Sequence, residues 1–310
     1  MTRLKRAQKG LSWRVFFLIL VILIVLIMIA LRFLGNDEKV ASQTSRFSHV
    51  HGLGFDASGK TLTAAVHEGL MVYVDGKWKN GIGEPHDYMG FSPTNEGFFS
   101  SGHPAAGSAL PNPLGIVRSA DDGGSVNSVA FAGEIDFHVM GAGYNSHVLY
   151  VYQPETTKTL GRGLHFSQDL GERWTAARHD GLSGVVISLA VHPDNPEIVA
   201  IGTSTGAYFS RDFGQTFTPV TTDAQVTALS FGPSGELYVA SYHDEYAQIR
   251  KAGADTMTLD PIQIPTLLPG DAVSSITVSL TEDQHLAFAT FQSQVYIRND
   301  GEKEWLRVTE

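Results

Sequence analysis

Seven of the twelve histidines fall at comparable places in a repeating pattern, and carboxylates accompany them. His49, His51, His86 and His138 stand at the starts of short apolar segments, with Asp87 and Asp136 among them. His67-Glu68, His103 and His243-Asp244 stand at the ends of the segments that follow. Imidazole with carboxylate is a ligand set for zinc, copper, nickel or iron, and a carboxylate behind an imidazole orients the ring. Aligning the first three segments on Leu53, Met89 and Met140 gives His51, Asp87 and His138 equivalent places. These three are the candidate ligands of a divalent transition metal. The same column reads Ile187, Thr227 and Ser274 in later segments. Fold maintenance alone gives no reason for that asymmetry. Around the three, His49, His67, His86, His103, Asp87, His243 and Asp244 are candidate ligand-binding residues. The competing reading is a wet channel whose histidines satisfy one another, water and backbone groups.

Only a repeating scaffold brings such distant residues together. The clearest copy, at 186–217, reads VISLAVHPDNPEIVAIGTSTGAYFSRDFGQTF: strand, turn, strand, turn, strand, turn. Its first strand aligns with HVHGLGF (49–55), HDYMGFS (86–92), DFHVMGA (136–142), VTALSFG (226–232) and VSSITVS (273–279). A spacing of about 40–50 residues with four short strands is the length of one propeller blade. The expected fold is therefore all-β, a six-bladed β-propeller over 48–310, with seven blades the alternative if 36–48 and 254–272 conceal another unit. The innermost strand of each blade lines the channel and runs down from the top face. The connections between blades and the loops between second and third strands then lie at the top. This gathers the histidines at one mouth. The long loops at 104–113 and 153–163 rise on the same face, where loops over a rigid scaffold carry binding determinants.

The third turn of the clearest copy, Ser210-Arg-Asp212-Phe-Gly214-Gln-Thr216-Phe217, recurs as Ser167-Gln-Asp169-Leu-Gly171-Glu-Arg173-Trp174 and more weakly as Ser119-Ala-Asp121-Asp-Gly123-Gly-Ser125-Val126. This pattern resembles the Asp-box, or BNR, repeat of sialidases, sortilin-type ectodomains and a photosystem assembly factor. The runs HVHGLGF, HDYMGFS and SGHPAAGSALPNPLG also resemble a bacterial membrane-anchored, glycosylhydrolase-like group. In these turns the aspartates are expected to cap a hairpin by accepting backbone N–H bonds, the glycines to supply positive φ, and Trp174 and Phe217 to fold back onto the blade. The resemblance implies glycoside hydrolysis as an alternative activity. That chemistry needs two carboxylates flanking the bond, and Glu68 and Asp136 are its candidates. A sialidase needs arginines at the mouth, whereas Arg118, Arg173, Arg211 and Arg298 lie by the third turns. An assembly scaffold is the third alternative.

The chain has 310 residues, 43% of them hydrophobic, 32 glycines and no cysteine. Disulfides, thiolate metal sites and a cysteine nucleophile are excluded. Residues 1–35 hold six basic residues and no acid, so the other 16 basic residues face all 32 acidic ones, a net of −16. Such a body is no partner for nucleic acid. Residues 15–31 are uninterruptedly apolar, and Phe33 and Leu34 follow Arg32. A membrane helix needs about 20 apolar residues, and a cleavable signal core is shorter, about 7–15. The expected layout is a cytoplasmic basic stub (1–14), a transmembrane signal-anchor (15–34), a tether (35–47) and an extracytoplasmic propeller (48–310). The basic residues ahead of the run keep the N-terminus inside. The expected partners are the membrane, and a small ligand, glycan or protein segment at the mouth.

Overall fold

The computed structural model describes residues 47–281, 285–299 and 302–309. The stub, the apolar run and the tether up to Arg46 lie outside them. Residues 282–284, 300–301 and 310 lie outside them as well.

Twenty-four strands form six four-stranded antiparallel sheets among the described residues. The first blade is β1 (Val50–Phe55), β2 (Leu62–Val66), β3 (Gly69–Val74) and β4 (Lys77–Asn80). The second is β5 (Asp87–Thr94), β6 (Gly97–His103), β7 (Ile116–Ser119) and β8 (Asn127–Ala130). The third is β9 (Met140–Ala142), β10 (Leu149–Gln153), β11 (Gly163–Ser167) and β12 (Thr175–Ala176). The fourth is β13 (Val186–Val191), β14 (Val199–Thr203), β15 (Gly206–Ser210) and β16 (Thr218–Thr221). The fifth is β17 (Gln225–Phe231), β18 (Leu237–His243), β19 (Tyr246–Ala252) and β20 (Leu259–Ile262). The sixth is β21 (Val273–Val278), β22 (Leu286–Thr290), β23 (Val295–Arg298) and β24 (Leu306–Arg307). Six blades and not seven are present, because 254–272 holds β20, the fourth strand of the fifth blade.

Burial follows radial position. The second strands β14 and β22 are buried at every residue, while the outer strands β4, β12 and β24 are mostly exposed. A strand covered on both faces by neighbouring blades reads as a continuous apolar run with small residues, as in VAIGT and LAFAT. Six apolar clusters fill the ring, each shared by two adjacent blades. No blade can cover both its faces alone, so the six form one core.

Among the described residues the first and sixth blades meet by packing and not by a shared sheet. Phe47, Leu53 and Leu62 of the first blade share a cluster with Ala287, Ala289 and Val295 of the sixth. The Leu53 amide donates to Ser275 Oγ at 3.2 Å, and Trp78 Nε1 donates to the Val308 carbonyl at 2.8 Å.

Three turns after the third strands share one hydrogen-bond pattern. In each, a serine Oγ (Ser119, Ser167 or Ser210) donates to the aspartate Oδ1 and accepts from the glycine N–H, at 2.8–2.9 Å. The Oδ1 of Asp121, Asp169 and Asp212 then accepts the amide four residues on, at 2.9 Å each time. Gly123, Gly171 and Gly214 take positive φ. Phe217 is 5% exposed in the core, and Trp174 Nε1 donates to the Gly171 carbonyl. These aspartates are therefore occupied in holding turns.

Candidate functional site

His51 reaches the mouth because of a backbone irregularity. Val50 pairs with Val66 and Gly52 with Ala65, which leaves His51 as the extra residue of a β-bulge. A bulge re-aims one side chain and lets the ladder continue. The same place is bulged at Ile187, Thr227 and Ser274 in the fourth to sixth blades. Gly52 is needed beside it, since a Cβ there would lie 2.9 Å from the Phe91 Cβ of the next blade. His67 stands on the turn between β2 and β3. Asp87 opens β5 and pairs across the ladder with His103.

Three donors converge here. His51 Nε2 lies 3.2 Å from His67 Nδ1, His67 Nδ1 lies 3.0 Å from Asp87 Oδ2, and His51 Nε2 lies 3.3 Å from Asp87 Oδ1. One proton on His67 Nδ1 serves either neighbour and not both. Asp87 Oδ1 is buried and has no hydrogen-bond partner. His49 flanks the group, its ring centroid 4.8 Å from that of His51 and 5.8 Å from that of His67. The side chains of His51 and Asp87 are 10% and 23% exposed and that of His67 is 45% exposed, so the group is sheltered below and open above. Burial pushes His51 down to about 4, against the pull of Asp87 and with repulsion from His49, His67 and His138. Burial, with repulsion from His67, also lowers His49. Near neutrality His51 is thus an uncharged donor, as a metal ligand must be.

A second polar group adjoins the first. Asp136 Oδ2 lies 2.9 Å from His138 Nε2 and 3.4 Å from His103 Nε2, and Asn112 Oδ1 is 2.8 Å from His103 Nδ1. The Asp136 hydrogen bond raises His138 against the effect of burial. Burial pushes Asp136 up, but the His138 hydrogen bond and the charges of His138 and His103 hold it below the usual carboxylate range. With His138 raised from 6.5, the pair stabilises the fold below that value and loses its effect as pH rises through the raised value. With Asp136 lowered from 3.8, its contribution is present above that value and lost as pH falls through the lowered one. The pair is therefore strongest between the two. An NMR titration of the His138 ring is expected to give a midpoint above 6.5, and Asp136→Asn to lower it, because the Asp136 bond and charge are then gone and only the charge of Asp87 opposes burial. An unchanged midpoint in Asp136→Asn rejects the pairing.

The column of His51, Asp87 and His138 thus divides between two groups. His51 and Asp87 meet each other and His67, while His138 meets Asp136 and His103. Sequence reasoning placed His67 at the mouth but not among the metal ligands, because a turn residue's reach is invisible in an alignment of strands. His86 is not brought to either group. It is 3% exposed, accepts the Ala105 amide at Nδ1 and lies 3.7 Å from Glu84. His243 and Asp244 pair with each other at 3.2 Å on an exposed turn. Glu68 is exposed and accepts from Ser48 Oγ.

A cavity of about 370 Å³ opens between the third and fourth blades and is lined in part by Asp136, His138, Tyr152, Gln153 and Arg162. The central channel, about 210 Å³, runs below His51 and His138 between the inner strands.

No family model matches the chain, and no curated protein does. Solved structures share its fold. A putative gluconolactonase is 13% identical over 82% of this chain and 89% of its own, with a TM-score of 0.59. A GH74 enzyme from Niastella koreensis is 15% identical over 84% of this chain and 45% of its own, at 0.57. An ancestral GH74 enzyme is 12% identical over 84% and 38%, at 0.52. The chain thus spans less than half the length of either GH74 enzyme. Likeness at this identity shows the propeller and nothing of the chemistry.

Proposed function

We propose that the protein is a membrane-anchored, extracytoplasmic β-propeller of the Asp-box type that binds a divalent transition metal, zinc in the first instance, through His51, His67 and Asp87. The carrying observation is the spacing of the donors around an orphaned, buried carboxylate oxygen. Zinc bonds of about 2.0–2.1 Å in a tetrahedron put neighbouring donor atoms roughly 3.3 Å apart. The contacts among these three residues are 3.0–3.3 Å, to one or the other oxygen of Asp87, and one donor atom from each lies within 4.8 Å of the others. Three protein donors would leave a fourth position for water or ligand. The anchor is supported by the length of the apolar run at 15–31 and the basic residues before it.

The glycosidase alternative draws no support from the candidate pair. Asp136 is held low, where a general acid must be raised, and Glu68 is exposed on the rim.

The test uses the full chain. The protein is expected to remain in membranes through an alkaline wash, to be cut by protease added from outside, and to carry about one equivalent of zinc after detergent extraction and dialysis. Release by alkaline wash overturns the anchor. Protein that stays empty in zinc, copper and nickel overturns the metal.

A further inference from the structure

We infer that the cavity between the third and fourth blades is a binding site for a small organic anion with an apolar body. At about 370 Å³ it falls in the size range of small-molecule sites, about 300–1,000 Å³. It is distinct from the three metal donors, none of which lines it.

The first observation is Arg162, on the long loop between β10 and β11. It lines the cavity, it is exposed, and it makes no ion pair, hydrogen bond or ring contact with the described residues. Every other arginine among the described residues has a partner. Arg118, Arg173, Arg178 and Arg250 pair with carboxylates. Arg211 and Arg298 lie over aromatic rings, and Arg307 bonds to Tyr296. Glu155 lines the same cavity and still forms no ion pair with Arg162. A guanidinium left free in a concave site, with its fork of donors available, matches a carboxylate or phosphate.

The second observation is Gln153, at the end of β10. It is 8% exposed and lines the cavity, yet its side-chain amide has no hydrogen-bond partner. Its amide atoms are not enclosed by the protein and open to the cavity. Donors and an acceptor at the cavity wall are what a bound polar group completes.

The remaining wall sorts by chemistry. Tyr152 and Val186 give apolar surface, and Val185 stands 70% exposed. Asp136 also lines the cavity, but its charge is taken up by His138 and His103. Arg162 is the one guanidinium of the wall, and carboxylates and phosphates of modest size are the class its fork of donors fits, against the opposing charge of Glu155.

Benzoate and phenyl phosphate, with benzyl alcohol as the uncharged control, probe the site by saturation-transfer NMR on the full chain in detergent. The two anions are expected to bind saturably and benzyl alcohol at least tenfold more weakly. Arg162→Gln and Gln153→Leu are each expected to weaken the anions at least fivefold. Arg162→Gln changes an exposed side chain and leaves the melting temperature in place, so it decides the matter even if Gln153→Leu fails to fold. His51→Ala is expected to keep anion binding within twofold, which separates this site from the metal centre. Binding lost in His51→Ala but kept in Arg162→Gln puts the anion on the metal and overturns the inference. So does equal binding of benzyl alcohol, or no binding at all.

Discussion

Replacing His67 by alanine is expected to lower zinc affinity at least a hundredfold, with His51→Ala and Asp87→Asn close behind. The site has three protein donors, so each alanine substitution removes a third of them, while Asp87→Asn weakens the third by removing its charge. Even a residue that only orients a ligand typically costs 10–100-fold in metal affinity. His67 is the informative variant for folding. Its side chain is 45% exposed on a turn, so its loss leaves the core intact. His51 is more sheltered, and its alanine variant empties space between blades. Asp87→Asn keeps the shape and removes the charge that balances the cation. His138→Ala is expected to stay within a few-fold of the native protein, because its Nε2 is engaged by Asp136. This separates the set that meets in space, His51, His67 and Asp87, from the set that aligns in sequence, His51, Asp87 and His138. Cobalt substitution reads the difference directly, since a four-coordinate site gives intense visible absorption. A native spectrum in His67→Ala, or its loss in His138→Ala, would favour the aligned set.

The two sets differ for a reason that strand alignment cannot carry. The repeats were legible because different blades use the same residues for the same turn. Ser210, Asp212 and Gly214 hold one copy, and Ser167, Asp169 and Gly171 hold another with matching bonds. The column of His51, Ile187, Thr227 and Ser274 was equally legible, and it marks one bulge in four blades. The second and third blades break the rule. In the second, pairing is regular from Asp87 to Met89 and the register shifts only between Met89 and Ser92. In the third, the inner strand begins at Met140, so His138 precedes the ladder. Equivalent columns thus hold backbones of different shape, and the side chains point to different partners. His86 shows the same limit from another side. One residue before a strand looks like a mouth position, yet its ring turns inward to accept the Ala105 amide. The means of closing the ring was illegible because β24 is only two residues long.

Gly102→Ala is expected to cost about 3 kcal/mol or more of stability and to weaken zinc binding with it, although residue 102 offers no donor. Gly102 sits on β6 with φ +119, a conformation that costs of order 1–3 kcal/mol for a residue with a side chain. Its missing Cβ would also fall far inside contact distance of the Asp87 carbonyl and 2.9 Å from the Met89 amide. These are backbone atoms, so relief requires moving the strand. That strand carries Asp87, and the displaced stretch holds the Asp87–His103 and Tyr88–Gly102 pairs. A metal ligand moved by a fraction of an ångström leaves the range that zinc accepts, about ±0.2 Å. Gly76→Ala is the matched control: φ there is +76, but nothing lies within 4 Å of the added atom, so it bears only the conformational cost of about 1–2 kcal/mol. Urea unfolding of the two variants, with cobalt spectra of each, measures both effects. If Gly102→Ala unfolds at the same urea concentration as Gly76→Ala and keeps the native cobalt spectrum, the mouth is not held by the backbone contact between β5 and β6, and Asp87 is positioned by its histidine partners alone.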